Sequence, residues 1–160
     1  LMVTHDPEEA MSICDKVAVM NDGKIHQIDT PINLLNNPKT IFVSSFILGN
    51  NIINLKKNGN SYISCLGEIN CSEYLKNTSI KSMSISPKFI SIKRSESGDA
   101  IVISKEFLGE FLIYKVSING NILRVRTDIN NLLNNGDKCS LSINKNSYYF
   151  LYPGAYKEYI

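Results

Sequence analysis

The chain has 160 residues, 43% of them hydrophobic and 20% charged, enough for one soluble domain or two small ones around a buried core. Seventeen basic against fifteen acidic residues leave a net charge of +2, which argues against a dedicated nucleic-acid binder, since such proteins carry a strongly basic face. Apolar runs such as Val17 to Met20 extend four residues, where a helix crossing a bilayer needs about 20, so no direct membrane insertion is expected. Cys14, Cys65, Cys71 and Cys139 are too sparse for a disulfide scaffold and lack Cys-x-x-Cys spacing, so they read as reduced thiols with no metal site. The chain opens on Leu1 with no signal-peptide pattern and reads as a piece of something longer.

Up to about Leu48 the pattern predicts alternating strand and helix, in the order of a parallel α/β layer. Leu1 to Val3 reads as a strand end. Asp6-Pro7-Glu8-Glu9 then combines a helix N-cap, a proline at the first helical position and a carboxylate placed to reach back to the cap, predicting a short helix to about Cys14. The run Val17 to Met20, the Asp22-Gly23 turn signal and Lys24 to Ile28 predict a hairpin. Thr30-Pro31 repeats the cap device for a helix ending at Asn36-Asn37. Pro38 starts another helix, in which Ile41, Phe42, Phe46 and Ile47 fall near helical spacing, and Gly49 stops it.

From Asn50 the apolar residues follow period two, broken by Asn, Gly, Ser and Asp, as a small all-β barrel or sandwich requires. Strands are predicted at 52–55, 62–65, 82–86, 89–93, 100–107, 111–118, 122–127, 138–143 and 148–151, with a tight hairpin at Asn119-Gly120-Asn121. In Leu123-Arg124-Val125-Arg126 the alternation turns both arginines outward. The period changes near Gly49-Asn50-Asn51 without a flexible linker, which divides the chain into residues 1–49 and 50–160 and predicts that the two parts pack together.

His5 stands between a strand end and a capped helix, where ligands bind at the carboxyl edge of α/β sheets. Asp6 beside it reads as the cap, Asp15 as structural, and His26 as a surface or interface histidine. The run Thr4-His5-Asp6-x-x-Glu9-Ala10, then Asp15-x-Val17-x-Val19-Met20, Gly23-x-Ile25-x-Gln27, Thr30-Pro31-x-x-Leu34, Pro38, Phe42-Val43, Phe46, Gly49 and Asn51, resembles the C-terminal end of the ATP-binding subunit of ABC importers. The subfamily resembled serves uptake of polyamines, iron, sulfate, maltose-type sugars and phosphonates. The resemblance implies that His5 is both the catalytic and the cofactor-contacting residue, a switch histidine on the nucleotide's terminal phosphate, with ATP and Mg²⁺ as cofactors of the full-length subunit. No Gly-x-x-x-x-Gly-Lys-Ser/Thr loop, Leu-Ser-Gly-Gly-Gln signature or Asp-Glu strand end occurs. The chain alone is therefore expected to hold no cofactor and to be inactive as an ATPase.

In residues 50–160, Gly49-Asn50-Asn51-Ile52-Ile53, Phe107-Leu108-Gly109, Leu123 to Arg126, Asn135 to Lys138 and Tyr148 to Leu151 occur in an order similar to the regulatory domain called TOBE. The fold class implied is mainly β: an OB-like TOBE β-barrel preceded by a truncated α/β remnant of the ABC ATPase domain. Ile85-Ser86-Pro87-Lys88 departs from that pattern, which has an arginine before the proline and an acidic residue after it. Lys56, Lys57, Lys93, Arg94, Arg124 and Arg126 read as solvated strand faces, and Tyr148, Tyr149, Tyr152, Tyr156 and Tyr159 as interface or lid residues.

The resemblance implies coupling of ATP hydrolysis to solute uptake, a homodimer with a second ATP-binding subunit, transmembrane permease subunits as partners, and a peripheral place on the cytoplasmic face of the cell membrane. Unpaired apolar edges at Met2-Val3 and Val17 to Met20 add an expectation that the chain alone is at least dimeric. The alternative reading is a small oxyanion-binding module acting as sensor or store, with Ser82, Ser84 and Ser86 as its hydroxyl donors.

Overall fold

The computed structural model describes residues 1–70, 79–145, 147–153 and 156–159, with no side-chain account of Asn70 or of 156–159. Cys71 lies outside the described residues. Helix α1 (Pro7–Ile13) starts where expected, because the Asp6 carboxylate accepts from the backbone N–H groups of Glu8 at 2.9 Å and Glu9 at 3.4 Å. The return half of a capping box is not made by Glu9. The Asp6 N–H instead donates to Thr4 Oγ1 at 3.1 Å, two residues back, which closes a turn around His5.

Strands β1 (Val17–Asn21) and β2 (Lys24–Asp29) pair antiparallel through Asp22 and Gly23, whose φ values of 48° and 73° are the two positive angles a type I′ turn needs. The expected parallel layer is not formed. All strand pairs among the described residues are antiparallel, and Leu1 to Val3 lies in no strand and is exposed. The physical reason is local: the Asp-Gly turn brings β2 straight back onto β1, and the Val17-to-Met20 run is half exposed, with Met20 facing out.

Helices α2 (Pro31–Asn36) and α3 (Ile41–Leu48) are capped by the hydroxyls of Thr30 and Thr40. The second therefore starts three residues later than Pro38 suggests, because Thr40 offers the oxygen acceptor that an N-cap needs. Between them the buried Gln27 side chain acts as a surrogate peptide, donating to Asn37 O at 3.0 Å and accepting from Lys39 N at 2.8 Å. Gly49 ends α3 at φ 62°, in the left-handed region. Val17, Val19, Leu34 and Val43 form the buried centre of this segment.

The strands that follow are β3 (Asn51–Asn54), β4 (Lys56–Asn58), β5 (Ser61–Ser64), β6 (Gly67–Asn70), β7 (Ser82–Ile85), β8 (Ile90–Arg94), β9 (Ala100–Phe107), β10 (Phe111–Ile118), β11 (Asn121–Asp128), β12 (Lys138–Ile143), β13 (Tyr148–Tyr152) and β14 (Tyr156–Tyr159). They form a five-stranded sheet in the order β11-β10-β9-β12-β8, a four-stranded sheet β14-β13-β7-β3 and a three-stranded sheet β4-β5-β6. These share one core containing Tyr62, Met83, Ile85, Tyr114, Val116, Leu123 and Leu151, none more than 1% exposed.

The mainly β class holds, but no barrel is closed. No ladder joins β8 to β11, the outer strands of the five-stranded sheet. Two amide side chains tie β11 and the loop after it to other strands, Asn51 joining β3 to β11 and Asn131 joining that loop to β8. Asn51 donates to Arg124 O at 2.8 Å and accepts from Arg124 N at 2.7 Å, while Asn131 donates to Ile92 O at 3.1 Å.

A buried polar cluster joins α3 to the strands. Ser44 and Ser84 hydroxyls lie 2.5 Å apart, the Asn50 amide donates to both at 3.2 and 3.1 Å, and Tyr152 donates to Pro38 O at 2.7 Å. Burial pushes the Tyr152 phenol up to about 12, with its bond to Ser44 opposing the rise. A phenol that stays neutral longer when folded stabilises the chain fully below its unfolded pKa, near 10, and loses that contribution as pH climbs from there through about 12. Between those limits the chain should lose on the order of 2 kcal/mol from this group. Comparing the alkaline unfolding midpoints of wild type and Tyr152→Phe isolates the effect: the variant should be weaker by about 1 kcal/mol near pH 7 and lose less on going to pH 12.

Candidate functional site

His5 occupies the peptide between two side-chain-to-backbone bonds, the Thr4 hydroxyl behind it and the Asp6 carboxylate ahead of it. Its ring is exposed to solvent. Glu8 and Glu9 fill the first turn of α1, where carboxylates favour the positive end of the helix. An exposed imidazole on a backbone pinned from both sides can donate a hydrogen bond to an external anion without reorganising the chain beneath it. Asp6 is committed to capping, as expected.

His26 stands apart from His5 in role. Its Nδ1 lies 3.2 Å from Thr40 Oγ1 and its ring packs on Phe42 at 4.8 Å, tying β2 to the start of α3. Asp29 beside this junction is held below the usual carboxylate range, first by the Asn33 side chain, then by Thr30 N–H and Lys39.

The remaining candidates separate clearly. Lys56, Lys57, Lys93, Arg94, Arg124 and Arg126 are all exposed. Arg94 pairs with Asp137, and Arg126 stacks on Phe111 at 3.7 Å. Of the serines read as oxyanion donors, Ser84 is fully buried and its hydroxyl belongs to the cluster with Ser44 and Asn50. Tyr149 and Tyr152, expected at an interface or lid, are core residues each 3% exposed, because the last described strands form the middle and edge of a sheet. Tyr156 and Tyr159 side chains lie outside the described residues. Cys14, Cys65 and Cys139 are free, and burial pushes the Cys65 and Cys139 thiols up. Among the described residues no three His, Cys, Asp or Glu side chains gather as a metal site.

The Ser44, Asn50, Ser84 and Tyr152 cluster was not read from the sequence. Its signals are small polar residues at positions that period alone would make apolar, and its partners are far apart in the chain, 40 residues for Ser44 and Ser84 and 114 for Pro38 and Tyr152. Asn50 Oδ1 is buried and has no hydrogen-bond partner among the described residues.

The chain is 54% identical over 63 residues to the spermidine/putrescine import ATP-binding protein PotA of Bacillus thuringiensis (strain Al Hakam), a match that covers 39% of this chain and 18% of the relative. The similarity is to import ATP-binding proteins. PotA of Desulfitobacterium hafniense (strain Y51) is 53% identical over 53 residues, 33% of this chain and 15% of the relative. That of Trichormus variabilis is 56% identical over 52 residues, 32% of this chain and 14% of the relative. The match thus spans less than a fifth of the length of these curated relatives. No protein-family model matches the chain. No described helix is long and apolar enough to cross a membrane.

Proposed function

We propose that the chain is the C-terminal part of the ATP-binding subunit of an ABC importer of the polyamine type. Residues 1–49 finish the nucleotide-binding domain and residues 50–160 form a TOBE-like regulatory domain. The observation that carries this reading is the exposed His5, pinned by Thr4 and Asp6 at the head of α1, in a chain similar to spermidine/putrescine import ATP-binding proteins. ATP and Mg²⁺ are cofactors of the full subunit, in which Mg²⁺ neutralises phosphate charge. The residues of this chain fit them only in part: they supply the histidine and neither a phosphate loop nor a metal cluster among the described residues. His5 donates to a terminal phosphate oxygen, stabilising charge as it spreads and sensing its loss.

Exposed apolar side chains support the same reading. Val3, Ile13, Met20, Ile25 and Ile28 are each at least 55% exposed on the helix and hairpin segment, and the rest of the nucleotide-binding domain would cover them. The full subunit forms a homodimer, binds permease subunits and sits peripherally on the cytoplasmic face of the membrane. It couples ATP hydrolysis to solute uptake.

His5→Ala in the full subunit tests this. The ATPase kcat should fall about 10²–10³-fold with the KM for ATP changed only slightly, because one hydrogen bond to the transferring phosphate is removed while the ring itself supports no core. Unchanged turnover would remove the mechanistic basis of the assignment.

A further inference from the structure

A groove of about 390 Å³ runs between the ends of α2 and α3 and the strands, with walls of Leu35, Ile47, Leu48, Tyr148 and Phe150 and with Lys88 at its margin. The size is that of a small-molecule site, and its lining sets these apolar walls beside Asn36, Asn50, Ser86 and Lys88. One wall is stiffened by an aromatic chain. Phe89 meets Tyr148 edge-on at 4.9 Å and Tyr148 meets Phe150 edge-on at 5.8 Å.

The charge pattern selects the occupant. Among the described residues Lys88 is the one charged residue lining this groove and makes no ion pair, and its ammonium lies 5.0 Å over the Phe89 ring. No Asp or Glu among the described residues lines this groove, so on this side the exposed Lys88 ammonium favours an anion by one solvent-screened charge contact. A larger groove of about 960 Å³ on the other side of Lys88 lacks this asymmetry, because Glu110 and Asp128 there oppose Lys88 and Arg126.

We infer that the smaller groove binds an organic monocarboxylate with an apolar or aromatic body. Lys88 takes the carboxylate, and the body lies against Leu35, Ile47, Leu48 and Tyr148. The ligand touches the helices and the strands at once, beside the Ser44–Ser84 contact that joins them. Nothing in this depends on the importer reading, since neither His5 nor a nucleotide takes part.

The test titrates the 160-residue chain with 3-phenylpropionate, 3-phenylpropan-1-ol and 3-phenylpropylammonium, three probes of one shape and different charge, followed by amide chemical shifts. Shifts should cluster at residues 35–36, 47–50, 86–88 and 148–150. The carboxylate should bind about three-fold tighter than the alcohol and the ammonium most weakly, the size expected of one exposed charge contact. Lys88→Gln should bring the carboxylate down to the alcohol. Leu35→Glu, at a position already 44% exposed and so tolerant of change, should reverse the order. Equal affinities for the three probes, shifts centred on Met20, Ile25 and Ile28, or a Lys88→Gln variant that still favours the carboxylate would each overturn the inference.

Discussion

Gly98→Ala is expected to destabilise the chain by about 3 kcal/mol or more, at the upper end of what overpacking costs. A Cβ at this position would lie 2.1 Å from Cys139 O, 2.3 Å from Cys139 C and 2.9 Å from Ser140 N. Those atoms are the main chain of β12, which is laddered to β8 and touches β9 through Cys139 and Lys138, so no side chain can rotate out of the way. Relief requires the turn from Ser95 to Gly98, closed by Gly98 N–H to Ser95 O at 3.0 Å, to lift off the sheet. In urea the midpoint should drop by more than about 1 M. Gly59→Ala is the contrasting case: it has φ 60° and nothing within 4 Å, so only backbone strain of about 1 kcal/mol is expected. Equal losses in the two variants would show that the close approach to β12 is not what position 98 is for.

Tyr114→Phe should cost about 2–4 kcal/mol although it removes a single oxygen. That hydroxyl donates to Asn131 O at 2.5 Å and accepts from Leu133 N at 3.0 Å, and Tyr114 and Leu133 are no more than 1% exposed. Deleting it strands a main-chain donor and a main-chain acceptor at once, which is worse than losing an ordinary hydrogen bond. The loss should be local as well as global: the Leu133 amide should exchange with solvent sooner than its neighbours, and the Asn131 bond to Ile92 O should loosen with it. Unfolding free energy and amide exchange of the variant check both parts. Exchange at Leu133 unchanged from wild type would mean that the hydroxyl is not what holds this loop.

Much of the fold was readable because the residues that decide it are near each other in the chain. The strands Ala100–Phe107, Phe111–Ile118 and Lys138–Ile143 match their expected limits, since apolar alternation over six to eight residues tells which face is buried. The caps at Asp6 and Thr30 were equally plain. By contrast, Lys56–Asn58 and Gly67–Asn70 are too short and polar to show a period, and exist as strands because Ser61–Ser64 pairs with both. The Asp22-Gly23 hairpin forms as its turn residues indicate, whereas the parallel layer expected around it does not, because among the described residues β1 and β2 pair only with each other. At the candidate site, His5 was visible from its neighbours Thr4 and Asp6. The serine and asparagine cluster and the Lys88 groove were not, because tertiary contacts alone bring Ser44 to Ser84 and Leu35 near Tyr148.

Five strands joined only in antiparallel fashion carry a consequence of parity. With an odd number, β8 and β11 must point the same way, so a simple continuation of the up-and-down weave cannot stitch them together. Asn131, in the loop after β11, spans that gap with one side chain by donating to Ile92 O on β8, while Asn51 offers Arg124 a donor and an acceptor as a neighbouring peptide would and so ties β3 to β11. Position 124 is then free to vary, since its backbone is what Asn51 grips, whereas position 51 must keep a carboxamide for the edge of one sheet to stay seated on the edge of the other.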